Sequence, residues 1–275
     1  MERRIHLPYK TYPGMSKLLL FLGLFTSSMA IGQPRIQLSP PKVEVDSVLF
    51  TTAATVRLEL DYPGVALRYT LDGSPVSQES ALYGAPLHLD QTATVRARAF
   101  HPDFADSPDV RRTVRSLKND RKADVVYVSP DPAPKYTGAG LSALTNQQKG
   151  ALNFAATPEA WLGWETDSLW LKIKTIAPAA ANQLTLSLLD NAGAWIMEPA
   201  HVQVYQSGEL LGATQIAAPK AVLPTRHNFV EVPLPLRRYT TLDVLVLSQT
   251  LPEWHDGAGR IAWVFLDEIF LSQMP

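Results

Sequence analysis

Residues 251–271 read LPEWHDGAGRIAWVFLDEIFL. The second half, 261–271, is a run of apolar and aromatic residues with few breaks, the pattern of a strand buried on both faces or closing a sandwich. The first half is a loop by composition, because Pro252, Asp256, Gly257 and Gly259 all favour turns. That loop carries Trp254 and His255, one flat apolar ring and one ring with a polar edge. A rigid strand holding such a loop is a plausible binding-site design and carries no catalytic signature.

The rest of the composition agrees with β structure. The chain has 275 residues, enough for one large or two ordinary domains, and at 46% hydrophobic it can bury a sizeable core. Twenty-two prolines beside 15 glycines and many short Val/Leu/Thr runs point to strands joined by numerous turns. A net charge of -1 holds no basic surplus for a nucleic-acid partner. The absence of cysteine excludes disulfides, zinc–thiolate sites, thiol nucleophiles and a lipoprotein anchor.

Residues 16–32 have the layout of an export signal. Lys17 is the positive end, LLLFLGLF (18–25) the apolar core, and Ser28, Ala30 and Gly32 the small residues for cleavage. The apolar run is well short of the roughly 20 residues that span a bilayer. An uncleaved membrane anchor is the alternative. Met15 directly precedes the signal and is a candidate true start, with a mature chain beginning near Gln33. A secreted, periplasmic or cell-surface protein with no membrane span after cleavage is expected.

Beyond the signal region, 1–32, the pattern divides in two. Residues 33–117 read as a small all-β domain, with alternation in VRLEL (56–60), ALRYTL (66–71) and ATVRARAF (93–100) and turns at Tyr62-Pro63-Gly64 and Asp72-Gly73-Ser74-Pro75. The charged stretch KNDRKAD (118–124) reads as a linker. Residues 125–273 read as a jelly-roll sandwich, with strands expected at 169–176, 183–189, 201–205, 229–232, 241–247 and 261–271.

Two resemblances attach to these segments. LRYTLDGSP (67–75), LYGAPL (82–87) and TVRARAF (94–100), in that order, are similar to the chitobiase/β-hexosaminidase C-terminal-type domain, an immunoglobulin-like, fibronectin-III-associated module. That family implies a spacer or accessory role with no chemistry of its own, and the segment has no Trp and no His partnered at metal-ligand spacing around His88 or His101. PKYTGAG (134–140), LTNQQKG (144–150), WLGWE (161–165), GAWIM (193–197) and the 251–269 stretch resemble the C-terminal, discoidin-like (coagulation-factor type C) domain of bacterial β-hexosaminidases. Together they resemble the tail of such an enzyme without its catalytic barrel.

All six tryptophans, at 161, 164, 170, 195, 254 and 263, lie in the second segment. An indole packs against the C–H face of a sugar while edge groups bond its hydroxyls. Trp170 and Trp263 sit inside apolar strand patterns and are assigned to the core. Trp161, Trp195 and Trp254 border Gly, Pro or Asp and are the exposed candidates, with His255 as a hydroxyl partner. Arg226-His227 and Arg237-Arg238 read as solvated basic pairs, with a sugar contact through Arg237 or Arg238 as the alternative. Asp267-Glu268 invites comparison with the adjacent acid pair of the hexosaminidases. Adjacent strand residues point to opposite faces, so the pair is not expected to share a substrate. The discoidin resemblance instead implies a structural calcium ion held between the early loop, at Asn146, and Glu268 on the last strand. Asn146-Gln147 stands where the family commonly has Asp-Gly.

The expectation is an exported, non-catalytic, all-β protein: an immunoglobulin-like sandwich followed by a discoidin-like sandwich that binds glycan, with an amino-sugar preference implied by the resemblance. Two readings stand beside it. One is a structural or protein-interaction module docking to a separate glycoside hydrolase or cell-surface assembly. The other is a fragment of a split β-hexosaminidase.

Overall fold

The computed structural model describes residues 35–274, so the signal region expected at 1–32 lies outside the described residues. The all-β class expected from the sequence is what the structure has. The first body contains β1 (Lys42–Val45), β2 (Leu49–Phe50), β3 (Ala54–Glu59), β4 (Ala66–Thr70), β5 (Ala81–Leu82), β6 (Leu87–Leu89), β7 (Ala93–Phe100) and β8 (Val110–Ser116). They form two sheets, ordered β1-β3-β6 and β2-β8-β7-β4-β5. The alternation seen in the sequence decides which side chains enter the core. Ala54, Val56 and Leu58 of β3 meet Val95 and Ala97 of β7 and Val114 of β8, while Arg96 and Arg98 point away. Gly73 takes φ 78° in the expected turn, where the Asp72 carboxylate accepts from Ser74 N–H at 3.0 Å.

The second body contains β9 (Asp120–Arg121), β10 (Ala123–Ser129), β11 (Leu162–Trp164), β12 (Ser168–Asp190), β13 (His201–Gln206), β14 (Glu209–Gln215), β15 (Arg226–Leu247) and β16 (Val264–Ser272). Two of these are far longer than the sequence pattern implied. The runs at 169–176 and 183–189 are the two halves of β12, and those at 229–232 and 241–247 the two halves of β15. Pro178, Pro233 and Pro235 lie inside these strands. Pairing between β12 and β15 shifts register between Lys174 and Ala179 and again between Ala181 and Gln183. A proline has no N–H to give the ladder, and the irregularity absorbs it. The first half of β12 pairs with β10 and with the end of β15, which pairs onward with β13. The second half pairs with the start of β15 and with β16, and β16 pairs with β11. Leu169, Leu171 and Ile173 from one half share a core with Leu184, Leu186 and Leu188 from the other, so the two long strands pass from one layer of the sandwich to the other.

Every residue of β16 is buried, as its apolar run predicted. Three of them are polar. Asp267 accepts from Lys149 Nζ at 2.6 and 2.8 Å and from Gly150 N–H at 2.8 Å. Glu268 Oε1 accepts from Gln148 N–H at 2.8 Å. Ser272 accepts from Arg115 Nη2 at 2.7 Å and donates to Asp120 Oδ1 at 2.6 Å. The register against β12 steps from Ser187↔Glu268 to Leu188↔Leu266, leaving Asp267 as an extra residue. This bulge breaks the alternation expected of Asp267 and Glu268. Both carboxylates therefore meet the same loop, 146–150, rather than opposite faces.

The charged stretch 118–124 is no free linker. Asp120 and Arg121 pair with Ser272 and Leu271, and Arg121 Nε donates to Ala180 O at 3.0 Å. Arg115, at the end of the first body, is fully buried over the Phe270 ring and ion-paired to Asp120 at 2.8 Å. The two bodies form one compact unit.

Removing one member of a buried ion pair leaves an uncompensated charge, at a cost of about 3–5 kcal/mol. Asp267→Ala is expected to lose about that much in urea unfolding, and the double variant Lys149→Met/Asp267→Ala to lose less than Asp267→Ala alone. A single variant as stable as wild type contradicts the assignment.

Candidate ligand-binding site

The tryptophans and histidine expected to form an exposed rim divide into two groups. Trp161 is internal, 1% exposed. Its Nε1–H donates to Ala151 O at 3.1 Å, and its ring stacks on His227 at 6.2 Å. A Cβ on Gly150 would lie 2.3 Å from the same indole, which is why that loop position is glycine. Trp195, Trp254 and His255 do converge, with the His255 ring 5.7 Å from Trp195 and 5.6 Å from Trp254. His255 is 7% exposed and both ring nitrogens are engaged. Nδ1 accepts from Gly257 N–H at 2.9 Å and Nε2 donates to Ala192 O at 2.8 Å. No ring atom of His255 is left for a hydroxyl. Trp254 donates to Pro219 O at 2.7 Å, and Arg260 covers the Trp195 ring at 4.5 Å. Trp195 and Trp254 pack against Met197, Leu251 and Ala262, and the cluster ties the 251–260 loop down.

Trp170, expected in the core, is 40% exposed. The alternation of SLWLKIK (168–174) explains it. Leu169, Leu171 and Ile173 face inward, so Trp170 shares the outer face with Lys172 and Lys174. The register then builds two rows across four strands. One row is Tyr127, Lys172, Asp243 and Tyr205; the next is Ser129, Trp170, Leu245 and Gln203. With strands about 4.8 Å apart, each row extends about 14 Å. Trp170 and Tyr205 stand on strands separated by β15 and reach across it, ring centroids 5.9 Å apart and tilted by 42°. Tyr127 is 53% exposed, raised on the bulge between Val125 and Tyr127.

The result is a shallow recess of ≈ 510 Å³ on the outer sheet face, floored by Trp170 and Lys172 and flanked by Tyr127, Tyr205 and Asp243. Lys172 Nζ lies 3.2 Å from Asp243 Oδ1. Tyr205 donates to Gln203 Oε1 at 2.7 Å. An exposed ion pair of this kind adds at most about 1 kcal/mol of stability. Its chemical value here is a donor and an acceptor beside aromatic faces. Arg226 and His227, read as solvated, are likewise otherwise placed. Arg226 Nη2 lies 3.0 Å from Asp190 and 3.2 Å from Glu198, and His227 Nε2 donates to Gly150 O at 2.8 Å.

Asn146 and Glu268, the residues implied to hold calcium, line one cavity of ≈ 300 Å³ with Asp120 and Asp124. Glu268 is fully buried and its Oε2 has no hydrogen-bond partner. Burial, with Asp267 adding to it, pushes the carboxyl up to about 8. Asn146 Oδ1 accepts from Gln148 N–H at 2.8 Å. An orphan carboxyl oxygen among Asp120, Asp124 and Asn146 offers oxygen to a hard cation, while Arg121 and Lys122 in the same lining oppose one. Among the described residues no group of three or more His, Cys, Asp or Glu is placed to hold a metal, so backbone and amide oxygens would complete any shell.

Comparison with known proteins adds the following. Residues 46–111 match the family described as Chitobiase/beta-hexosaminidase C-terminal domain, within the small sandwich. No curated protein matches the chain. Similar solved structures include a SusE-like protein, at 12% identity and TM-score 0.37 over 85% of this chain and 97% of its own. The family 32 carbohydrate-binding module from Streptococcus pneumoniae EndoD aligns at 12% identity and TM-score 0.36, over 56% of this chain and 97% of its own. The module CBM32-3 from a family 31 glycoside hydrolase of Clostridium perfringens aligns at 10% identity and TM-score 0.36, over 56% and 92%.

Two buried groups contribute opposite slopes to the pH profile. Burial, then the charge of Lys149, pushes His227 down to about 3 from 6.5, and burial lifts Glu268 from 4.5 to about 8. Between pH 3 and 6.5 the unfolded chain holds a proton at His227 that the folded chain lacks, so stability falls as pH drops. Between pH 4.5 and 8 the folded chain holds a proton at Glu268 that the unfolded chain lacks, so stability falls as pH rises. The two slopes oppose one another between 4.5 and 6.5, giving a plateau with loss on both sides. Melting temperature against pH is expected to show it, with Glu268→Gln flattening the alkaline limb. A wild-type profile that climbs from pH 6.5 to 8 contradicts the Glu268 assignment.

Proposed function

We propose that this chain is an exported, non-catalytic glycan-binding protein whose ligand lies on the outer sheet face across Trp170, Tyr127 and Tyr205. The single observation that supports it is the pair of side-chain rows that set an exposed indole and two phenols beside Lys172 and Asp243. A pyranose offers C–H faces and a rim of hydroxyls. Aromatic rings cover the first, and the ammonium, carboxylate and amide groups bond the second. The open, flat form of the recess suits a run of sugars lying along the sheet better than one enclosed residue. Amino-sugar glycans are the class implied by the sequence resemblance.

Export rests on the layout of residues 16–32. Among the described residues no helix is long and apolar enough to cross a membrane. The family match over 46–111 supports reading the small sandwich as an accessory domain, with a separate glycoside hydrolase as the partner class it fits. A calcium ion at Glu268 belongs to the same proposal. It would counter the buried carboxylate charge and fix the 146–150 loop.

Two measurements test these points. In calorimetric titration with chitotetraose and a panel of neutral oligosaccharides, Trp170→Ala is expected to weaken binding at least tenfold, about 1.4 kcal/mol. Trp254→Ala is expected to lower stability and leave affinity unchanged. The opposite pattern moves the site to the 251–260 loop and overturns the platform. For the ion, calcium is expected to raise the melting temperature at pH 8 over chelator, and Glu268→Gln to abolish the difference. Identical melting of the wild type with calcium and with chelator removes calcium from the account.

A further inference from the structure

A second recess lies where the two sandwiches meet. Its volume is ≈ 730 Å³, and Lys42, Arg96, Arg111 and Arg112 of the small sandwich and Arg226 of the large one line it. Asp109 is the one acidic residue in that lining among the described residues. Three of the cations are already paired: Lys42 with Glu44, Arg96 with Asp109, and Arg226 with Asp190 and Glu198. Among the described residues Arg111 and Arg112 have no carboxylate in an ion pair. Arg112 Nη1 donates to Arg111 O at 3.1 Å.

The strand register sharpens the imbalance. Arg111 stands directly opposite Arg96 on the neighbouring strand, a like-charge pairing that destabilises a sheet. Partial burial, then the charge of Arg226, holds the Arg111 guanidinium below its ordinary value; the Glu198 carboxylate opposes this and Arg96 adds to it. A cleft lined by one sign of charge focuses its field and concentrates counter-ions. Guanidinium forks take carboxylate in two parallel hydrogen bonds. Pro40, Pro41, Leu223 and Pro224 supply an apolar wall beside these cations. A bare inorganic anion has no use for such a wall, or for a recess in the roughly 300–1,000 Å³ range of small-molecule sites.

We infer that this recess is a second ligand site and that it takes a carboxylate-bearing sugar of an acidic glycan, the carboxylate on Arg111 and the ring against the proline wall. The sugar part of this inference rests on the glycan reading above; the anion part does not. The recess shares no lining residue with the Trp170 platform. The two sites therefore separate by mutation.

Calorimetric titration of the whole chain with tetragalacturonate, chitotetraose and inorganic sulfate tests it. Tetragalacturonate is expected to bind, more weakly as salt rises. Arg111→Gln is expected to weaken that binding at least tenfold, with Arg111→Lys in between. The same variant is expected to leave chitotetraose binding unchanged. Arg111 is exposed and faces like charge, so Arg111→Gln is expected to melt at or above the wild type, and Arg112→Gln repeats the test on a second side chain. Equal affinity of wild type and both glutamine variants for tetragalacturonate overturns the site, as does no binding of it. Sulfate binding as tightly as the oligomer overturns the sugar assignment. Chitotetraose binding without tetragalacturonate binding loses this recess and keeps the platform. Arg111-dependent tetragalacturonate binding with no effect of Trp170→Ala on any sugar keeps this recess and loses the platform.

Discussion

A strand buried on both faces cannot carry a polar side chain without a partner, and β16 carries three. Two of them hold one loop, and the third holds the join to the small sandwich. Asp267 fixes Lys149 and Gly150, Glu268 fixes Gln148, and Ser272 joins Arg115 to Asp120. An ion held in a low-dielectric interior without its counter-charge costs several kcal/mol, so these contacts act as constraints on geometry more than as sources of stability. They set where the 146–150 loop lies and how the small sandwich meets the large one. Arg115 and Asp120, tied to the end of β16, hold the small sandwich to the large one.

The same constraint bears on why the proposed binding face is a sheet surface rather than a loop cluster. β16 lies in one layer, and its loop contacts occupy that layer's surroundings. The 251–260 loop is itself held by Trp254, His255 and Trp195, whose polar atoms all have protein partners or cover. The other layer, made from the first half of β12 and the end of β15, keeps its outward row exposed, with its polar groups paired only to one another. There the ladder alone places Tyr127, Lys172, Asp243 and Tyr205 in line, and the platform inherits the rigidity of the sheet. A flat aromatic surface held this way binds with little loss of side-chain freedom.

Much of this was legible in residues 251–271 and in the alternation of the small domain. The buried last strand, the turn at Asp72-Gly73 and the all-β class follow from local pattern. Trp170 was also legible, because Leu169, Leu171 and Ile173 assign it the opposite face; its own apolar character obscured that. The length of β12 and β15 was not, since Pro178 and Pro233 read locally as breaks and only cross-strand pairing carries the chain past them. The bulge at Asp267 depends on the register against Ser187 and Leu188, which no local pattern encodes. Arg226 looked solvated beside His227, because its partners Asp190 and Glu198 are remote in sequence. The burial of His255 has the same origin, its acceptor Ala192 lying 63 residues away.

The central claim is that sugar contacts the outer face of the sheet. The six indole N–H signals of the ¹⁵N-labelled chain report on it directly, because each tryptophan occupies a distinct environment. Titration with chitotetraose is predicted to shift the Trp170 signal and leave those of Trp161, Trp195 and Trp254 in place. Movement of the Trp195 and Trp254 signals with Trp170 unmoved would contradict it.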